Sequence, residues 1–145
     1  KLANELQQNA SNKVIWIEDE SQRIGTVMLP TPFFKMLRNS VCYFIKIPFE
    51  ARLDFILEGY GKLDTQELIK ATLRIQKRLG GLETKNVVNF IIEKDIKSAF
   101  AILLKYYDKL YEKNVESSSI PKSVVIQIPA EKVDPIVNTA LILTI

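Results

Sequence analysis

"VIWIEDESQRIG", residues 14–25, carries four apolar residues straight into three consecutive acids, a serine, an arginine and a glycine. Read as a strand over about 14–18, its unbroken apolar run fits a strand buried on both faces, as in a parallel sheet. On that reading Glu18 stands at the carboxyl end of a buried strand, the place where α/β folds hold ligands. Working outward, "VCYFIKIP" reads as a second strand over about 42–47, closed by Pro48, and "VVIQIP" as a third over about 123–128. Helical patterns separate them, the alternation of an α/β fold with a mainly parallel sheet.

The clearest helix is "DTQELIKATLRIQKRL", residues 64–79. Asp64 or Thr65 caps it, Glu67 stands in capping-box register with Asp64, and Gly80-Gly81 supplies the stop. "FEARLDFILEGYG" forms a helix from Phe49 with Leu53, Ile56 and Leu57 on one face, ended at Gly59 to Gly61. A short helix follows Pro32, and two more run over about 84–92 and 95–113, the latter with Ala99, Ile102, Leu103, Tyr106 and Leu110 turned inward. A leading helix lies within 1–12 and a strand-helix tail within 115–145. The expected architecture is one domain, 1–145, with three mainly parallel strands and a helical insert over about 50–113.

A chain of 145 residues with 47% hydrophobic and 26% charged residues is ordinary for a folded domain. Its apolar runs are too short to cross a bilayer, so no membrane partner is expected. The net charge of +3 is mild, so an anion site must come from local clustering of basic side chains. There is no histidine and one cysteine, which removes Ser-His-Asp and Cys-His catalysis and most zinc sites. Cys42, inside an aromatic-rich apolar run, reads as an inert core thiol. One thiol and no secretory signal make a reducing cytoplasm the default compartment. The chain begins Lys1-Leu2-Ala3 with the polar-apolar mix of a helix already under way, so a fragment or a processed chain is expected.

"IWIEDESQRIG", "VMLP", "IPFEARLDFILEGYG", "RIQKRLGG" and "LLKYYDKLY", in that order over about residues 13–114, resemble the C-terminal part of the tRNA 2-selenouridine synthase family. The resemblance implies a partial P-loop-NTPase-like domain whose upstream rhodanese and P-loop parts lie outside these residues. It implies a transferase that exchanges sulfur for selenium at the wobble 2-thiouridine of tRNA through a geranylated intermediate. Selenophosphate and geranyl diphosphate are the implied co-substrates, with magnesium on a Walker-B-like Glu18, and tRNA the implied partner. Neither a rhodanese cysteine nor a GxxxxGK[ST] loop is present in these residues, so the fragment is expected to be inactive alone. The central phosphate-loop strand would stand between 14–17 and 42–47.

Site candidates follow from residue type and place. Glu18, Glu20, Ser21, Arg23 and Gly25 line the lip of the expected crevice, arginine because it grips phosphate bidentately. Arg52, early in the helix after Pro48, reads either as a phosphate contact or as a salt bridge to Glu50 or another nearby carboxylate. Lys70, Arg74, Lys77 and Arg78, at spacings of four, three and four, form either a polyanion surface for tRNA or a solvated helix face. Tyr107 and Tyr111, four apart, are candidates for stacking on a base or lining an isoprenoid pocket. Two other readings stay open: a fragment of a P-loop small-molecule kinase, which "IPFEAR" also suits, and a non-catalytic helical module that binds RNA or protein.

Overall fold

Residue 43 divides the protein. In the computed structural model, which describes residues 2–9, 14–19, 21–117 and 125–145, Lys1–Cys42 and Tyr43–Ile145 form two separate compact units.

The first unit holds helix α1 (Leu2–Asn9), strands β1 (Arg23–Ile24) and β2 (Val27–Met28), and helix α2 (Thr31–Arg38). The strand expected over 14–18 does not form. Residues 14–19 carry no regular structure, and Val14, Ile15, Trp16 and Ile17 are all exposed. Their β-propensity describes side chains that suit a pleated, half-buried surface, and it creates no strand without a neighbour to complete the ladder. The first ladder comes later instead, as an antiparallel hairpin pairing Arg23 with Met28 and Ile24 with Val27. Its two-residue turn puts Gly25 at φ 61°, the backbone region a Gly-X hairpin turn demands. Gln22 fastens the hairpin base, donating from its side-chain amide to the Leu29 carbonyl (3.1 Å) and the Thr31 hydroxyl (3.2 Å). Pro32 sits in the first turn of α2, where its missing N–H costs nothing.

The second unit begins in β3 (Cys42–Lys46) and continues through α3 (Phe49–Tyr60), α4 (Thr65–Arg74), α5 (Gln76–Leu79), α6 (Gly81–Ile92), α7 (Ile96–Ser117), β4 (Val125–Pro129) and α8 (Pro135–Leu143). β3 and β4 pair in a small parallel sheet of two strands. Among the described residues the three-stranded parallel sheet is therefore replaced by this pair and the separate hairpin. The helical insert holds the core, where Leu53, Leu68, Val87, Ile91, Ala99, Phe100 and Leu104 form one buried cluster drawn from α3, α4, α6 and α7. On α7 the buried positions are Ala99, Phe100 and Leu104, whereas Ile102, Leu103, Tyr106 and Leu110 are only half-buried.

Local chemistry sets the helix ends. Asp64 accepts at Oδ1 from the N–H groups of Gln66 (2.9 Å) and Glu67 (3.2 Å), the expected cap of α4. The helix expected over 64–79 breaks at Ile75, which has φ −100° and ψ 3° and donates its N–H to the Thr72 carbonyl in a tighter turn. Thr72, buried, donates its hydroxyl back to the Leu68 carbonyl at 2.9 Å, a bond that bends helices. At the α6–α7 junction Lys94 takes φ 67°, Lys94 N–H reaches the Ile91 carbonyl and Asp95 N–H the Phe90 carbonyl, the paired bonds of a Schellman cap. Asp95 then accepts from the Ser98 N–H and starts α7; its bonds to Ser98 hold its carboxyl below the usual range.

Gly80 joins α5 to α6 at φ 94° and ψ 152°, a region open in practice only to glycine. A Cβ there meets nothing within 4 Å, so the whole cost of a side chain is backbone strain. Gly80→Ala should lower the unfolding free energy by about 1–3 kcal/mol, read as a drop in urea midpoint. Gly81→Ala, at the first helical residue of α6 with no positive φ, serves as the control and should leave the midpoint unchanged or raised.

Candidate functional site

The two strands of the parallel sheet finish side by side, with the Ala130 N–H donating to the Lys46 carbonyl at 3.0 Å. Beyond them the chain turns through Ile47 and Pro48 into α3, and α7 passes alongside. These elements enclose a cleft of about 810 Å³ that runs along β4 from Val125 to Pro129 and past the carboxyl end of β3, within the range of roughly 300–1,000 Å³ that small-molecule sites occupy. Phe44, Ile45, Ile47 and Phe49 give it an apolar wall, and Tyr111 and Gln127 face the same space. Its charged lining is two cations, Lys46 and Arg52, and two carboxylates, Asp108 and Glu112.

Arg52 is the most constrained of these groups. Its Nη1 donates to Asp108 Oδ1 at 2.6 Å, its Nη2 to Oδ2 at 2.9 Å, and its Nε to the Ile47 carbonyl at 3.1 Å. Both side chains are about one-third exposed, at 30% and 31%. The Asp108 hydrogen bonds raise the guanidinium pKa above its ordinary value against the opposing effect of burial, so Arg52 stays charged at any working pH. Phe49 lies under two cations, its ring centre 5.9 Å from the Arg52 guanidinium and 5.9 Å from the Lys105 ammonium. Of the two readings of Arg52, a salt bridge exists, and its partner is Asp108 of α7, 56 residues away, rather than Glu50. Glu50 lies 3.8 Å from Lys97, which also binds Asp54 at 3.1 Å.

The other candidates fall elsewhere. Glu18, Ser21, Arg23 and Gly25 belong to the first unit, Arg52 to the second. Glu18 and Arg23 are exposed, Ser21 donates its hydroxyl to the Arg23 carbonyl at 2.6 Å, and Gly25 makes the hairpin turn. Glu20 lies outside the described residues. Asp19 pairs with Arg38 at 2.7 Å, and Arg38 also covers the Phe34 ring at 4.8 Å. Cys42 has its thiol pKa raised, by burial first and then by Asp19, with Arg38 opposing, so the reactive thiolate is suppressed. Among the described residues no three Asp, Glu, Cys or His side chains gather as a metal-holding group.

Lys70 and Arg74 on α4 and Lys77 and Arg78 on α5 are all exposed, and among the described residues none of the four has an ion-pair partner. The break at Ile75 divides them into two pairs. Tyr107 and Tyr111 are exposed at 48% and 61% and part company despite their spacing. Tyr111 lines the large cleft, whereas Tyr107 packs edge-on to Tyr106 at 5.4 Å and borders a small apolar crevice beside Thr72 and Ile75.

Sequence reasoning missed Asp108 as the partner of Arg52. One signal was available. Asp108 follows buried Leu104 by one helical turn, so it lies on nearly the same side of α7, and a carboxylate turned toward the core needs a cation.

Comparison with known proteins gives one consistent answer. A family model described as the tRNA 2-selenouridine synthase AAA domain matches residues 1–140. A tRNA 2-selenouridine synthase of Nitrosomonas europaea is 42% identical over 55 residues, a stretch that is 38% of this chain and 14% of that relative. No solved structure gives a significant match. Among the described residues no helix is long and apolar enough to cross a membrane.

Proposed function

The chain belongs to the tRNA 2-selenouridine synthase family, and from that premise we propose that it is one part of a tRNA-modifying transferase. In this reading it contributes a co-substrate cleft along β3 and β4 and a tRNA-contacting face on α4 and α5. The observation that carries the reading is a cleft that runs along two parallel strands and past their carboxyl ends, lined by both a fixed arginine and apolar side chains.

The reaction in question is sulfur-to-selenium exchange at the wobble 2-thiouridine through a geranylated intermediate. Geranyl diphosphate suits the cleft, its isoprenoid chain against Phe44, Ile47 and Tyr111 and its diphosphate toward Lys46 and Arg52. Selenophosphate is the second phosphate-bearing co-substrate. Magnesium, if bound, would be held by one or two carboxylates and would supply positive charge to a phosphate group. Within the first unit, Glu18 is the carboxylate proposed for such an ion, with Glu20, Ser21, Arg23 and Gly25 as its neighbours in sequence, and it is proposed independently of the cleft of the second unit. The bond-making steps belong to the rhodanese and P-loop parts of the parent protein, and the 145-residue chain alone does not turn over.

Isothermal titration of geranyl diphosphate into the full-length parent tests the cleft. Tyr111→Ala removes an exposed aromatic wall without touching the buried cluster, and should weaken binding about fivefold, the equivalent of about 1 kcal/mol for an aromatic contact. Unchanged affinity would place the co-substrate elsewhere.

A further inference from the structure

An arginine recognises phosphate through two parallel N–H groups, presented either by its Nη1–Nη2 end or by its Nε–Nη side. Neither edge of Arg52 is free. Asp108 occupies the end with both carboxylate oxygens, and the Ile47 carbonyl takes the Nε–H that the side-on edge requires. The two remaining N–H groups belong to different edges. The other charged groups lining the cleft, Lys46 and Glu112, add one charge of each sign, so the four together cancel.

We propose that Asp108 is an internal stand-in for a ligand phosphate. It holds the bidentate edge of Arg52 that an anionic ligand would use, so that the cleft admits a phosphate only as Asp108 leaves. This rests on the reading of the cleft as a phosphate-bearing site and adds its control. Arg52 extends from the first turns of α3 and Asp108 from α7, so exchanging the carboxylate for a phosphate releases the ion pair that ties these two helices beside the cleft. Occupancy of the cleft is thereby coupled to the α3–α7 junction. Asp108 also acts as a filter. A free phosphate must displace a carboxylate already seated, whereas a ligand with an apolar body gains contacts on the Phe44 and Phe49 wall that offset the exchange.

The test is titration of inorganic pyrophosphate into the 145-residue chain, with Asp108→Asn, Arg52→Gln and the double variant in parallel. Asparagine keeps the shape and one acceptor while removing the charge. Asp108→Asn should bind pyrophosphate at least about tenfold more tightly than the unaltered chain, and the double variant should lose that gain. Equal or weaker binding by Asp108→Asn, with Arg52 still required, overturns the stand-in role and leaves the phosphate reading of the cleft intact. Arg52-independent binding, or none in any form, overturns both. The unaltered chain gives a second readout that no substitution can compromise. With ¹³C-labelled aspartate, saturating pyrophosphate should shift the Asp108 carboxyl resonance, and a resonance that stays in place while the anion binds overturns the proposal.

Discussion

On the proposed reading of α4 and α5 as a tRNA face, replacing Lys70, Arg74, Lys77 and Arg78 together by alanine in the full-length parent should make tRNA affinity markedly less dependent on salt. Each phosphate contact contributes about 0.7 to 0.9 to the slope of log affinity against log salt, so losing four flattens it by roughly 3. The corresponding loss of affinity is largest at low salt and shrinks as salt rises. The four side chains are well suited to this measurement. They are exposed and have no ion-pair partner among the described residues, so removing them leaves the buried cluster alone. Alanine is also the best helix former, so α4 and α5 should not loosen. Lys70→Ala with Arg74→Ala, on α4 only, should give about half the change. A slope that stays the same in both variants would make this a solvated helix face and move tRNA recognition to another surface.

Ile91→Ala should bring the second unit close to unfolding. Ile91 is fully buried at 0% exposure, on α6 where that helix meets α4 and α7. Truncating it removes apolar contacts and leaves a cavity, at a cost of about 2–5 kcal/mol. Native domains hold only about 5–15 kcal/mol in total. Thermal unfolding followed by circular dichroism should show a melting point lower by roughly 10–30 °C, on the scale of several degrees per kcal/mol for a unit of this size. Leu143→Ala, at 66% exposure near the end of α8, is the matched control and should move it little. A small shift for Ile91→Ala would mean that α6 is not packed as described.

What the sequence made legible was local. Asp64 announces the start of α4 and Pro48 the start of α3 through chemistry that acts over three or four residues, and Gly80 marks a turn that few other residues can make. What it concealed was relational. Four apolar residues at 14–17 look alike whether a partner strand lies beside them or water does, and here they are exposed. Thr72 reads as one more polar position in a helix until its hydroxyl is seen bonded to Leu68 one turn above the break at Ile75. The hairpin turn at Gly25-Thr26 was not read from the sequence, because its flanking strands are two residues each, too short for alternation to show. At the candidate site the position of Arg52 could be anticipated from the Pro48 boundary, whereas its union with Asp108 joins residues 56 apart, and the local signal at Asp108 says only that a cation is needed and not which one.

The two-stranded sheet carries a last consequence. Among the described residues the sheet has two strands, so each has an outer edge with no strand beside it, the kind of edge that can recruit another chain. β3 ends in Lys46 and β4 in Pro129, and a lysine and a proline are the residues that discourage such recruitment. Both stand at the carboxyl ends, beside the cleft. Toward the amino ends Phe44 and Ile126 are exposed at 38% and 37%, and Phe44 and Val125 line the cleft itself. The same two short strands thus furnish both the cleft and an edge of the kind that favours self-association, a hazard that rises with the concentration of the chain.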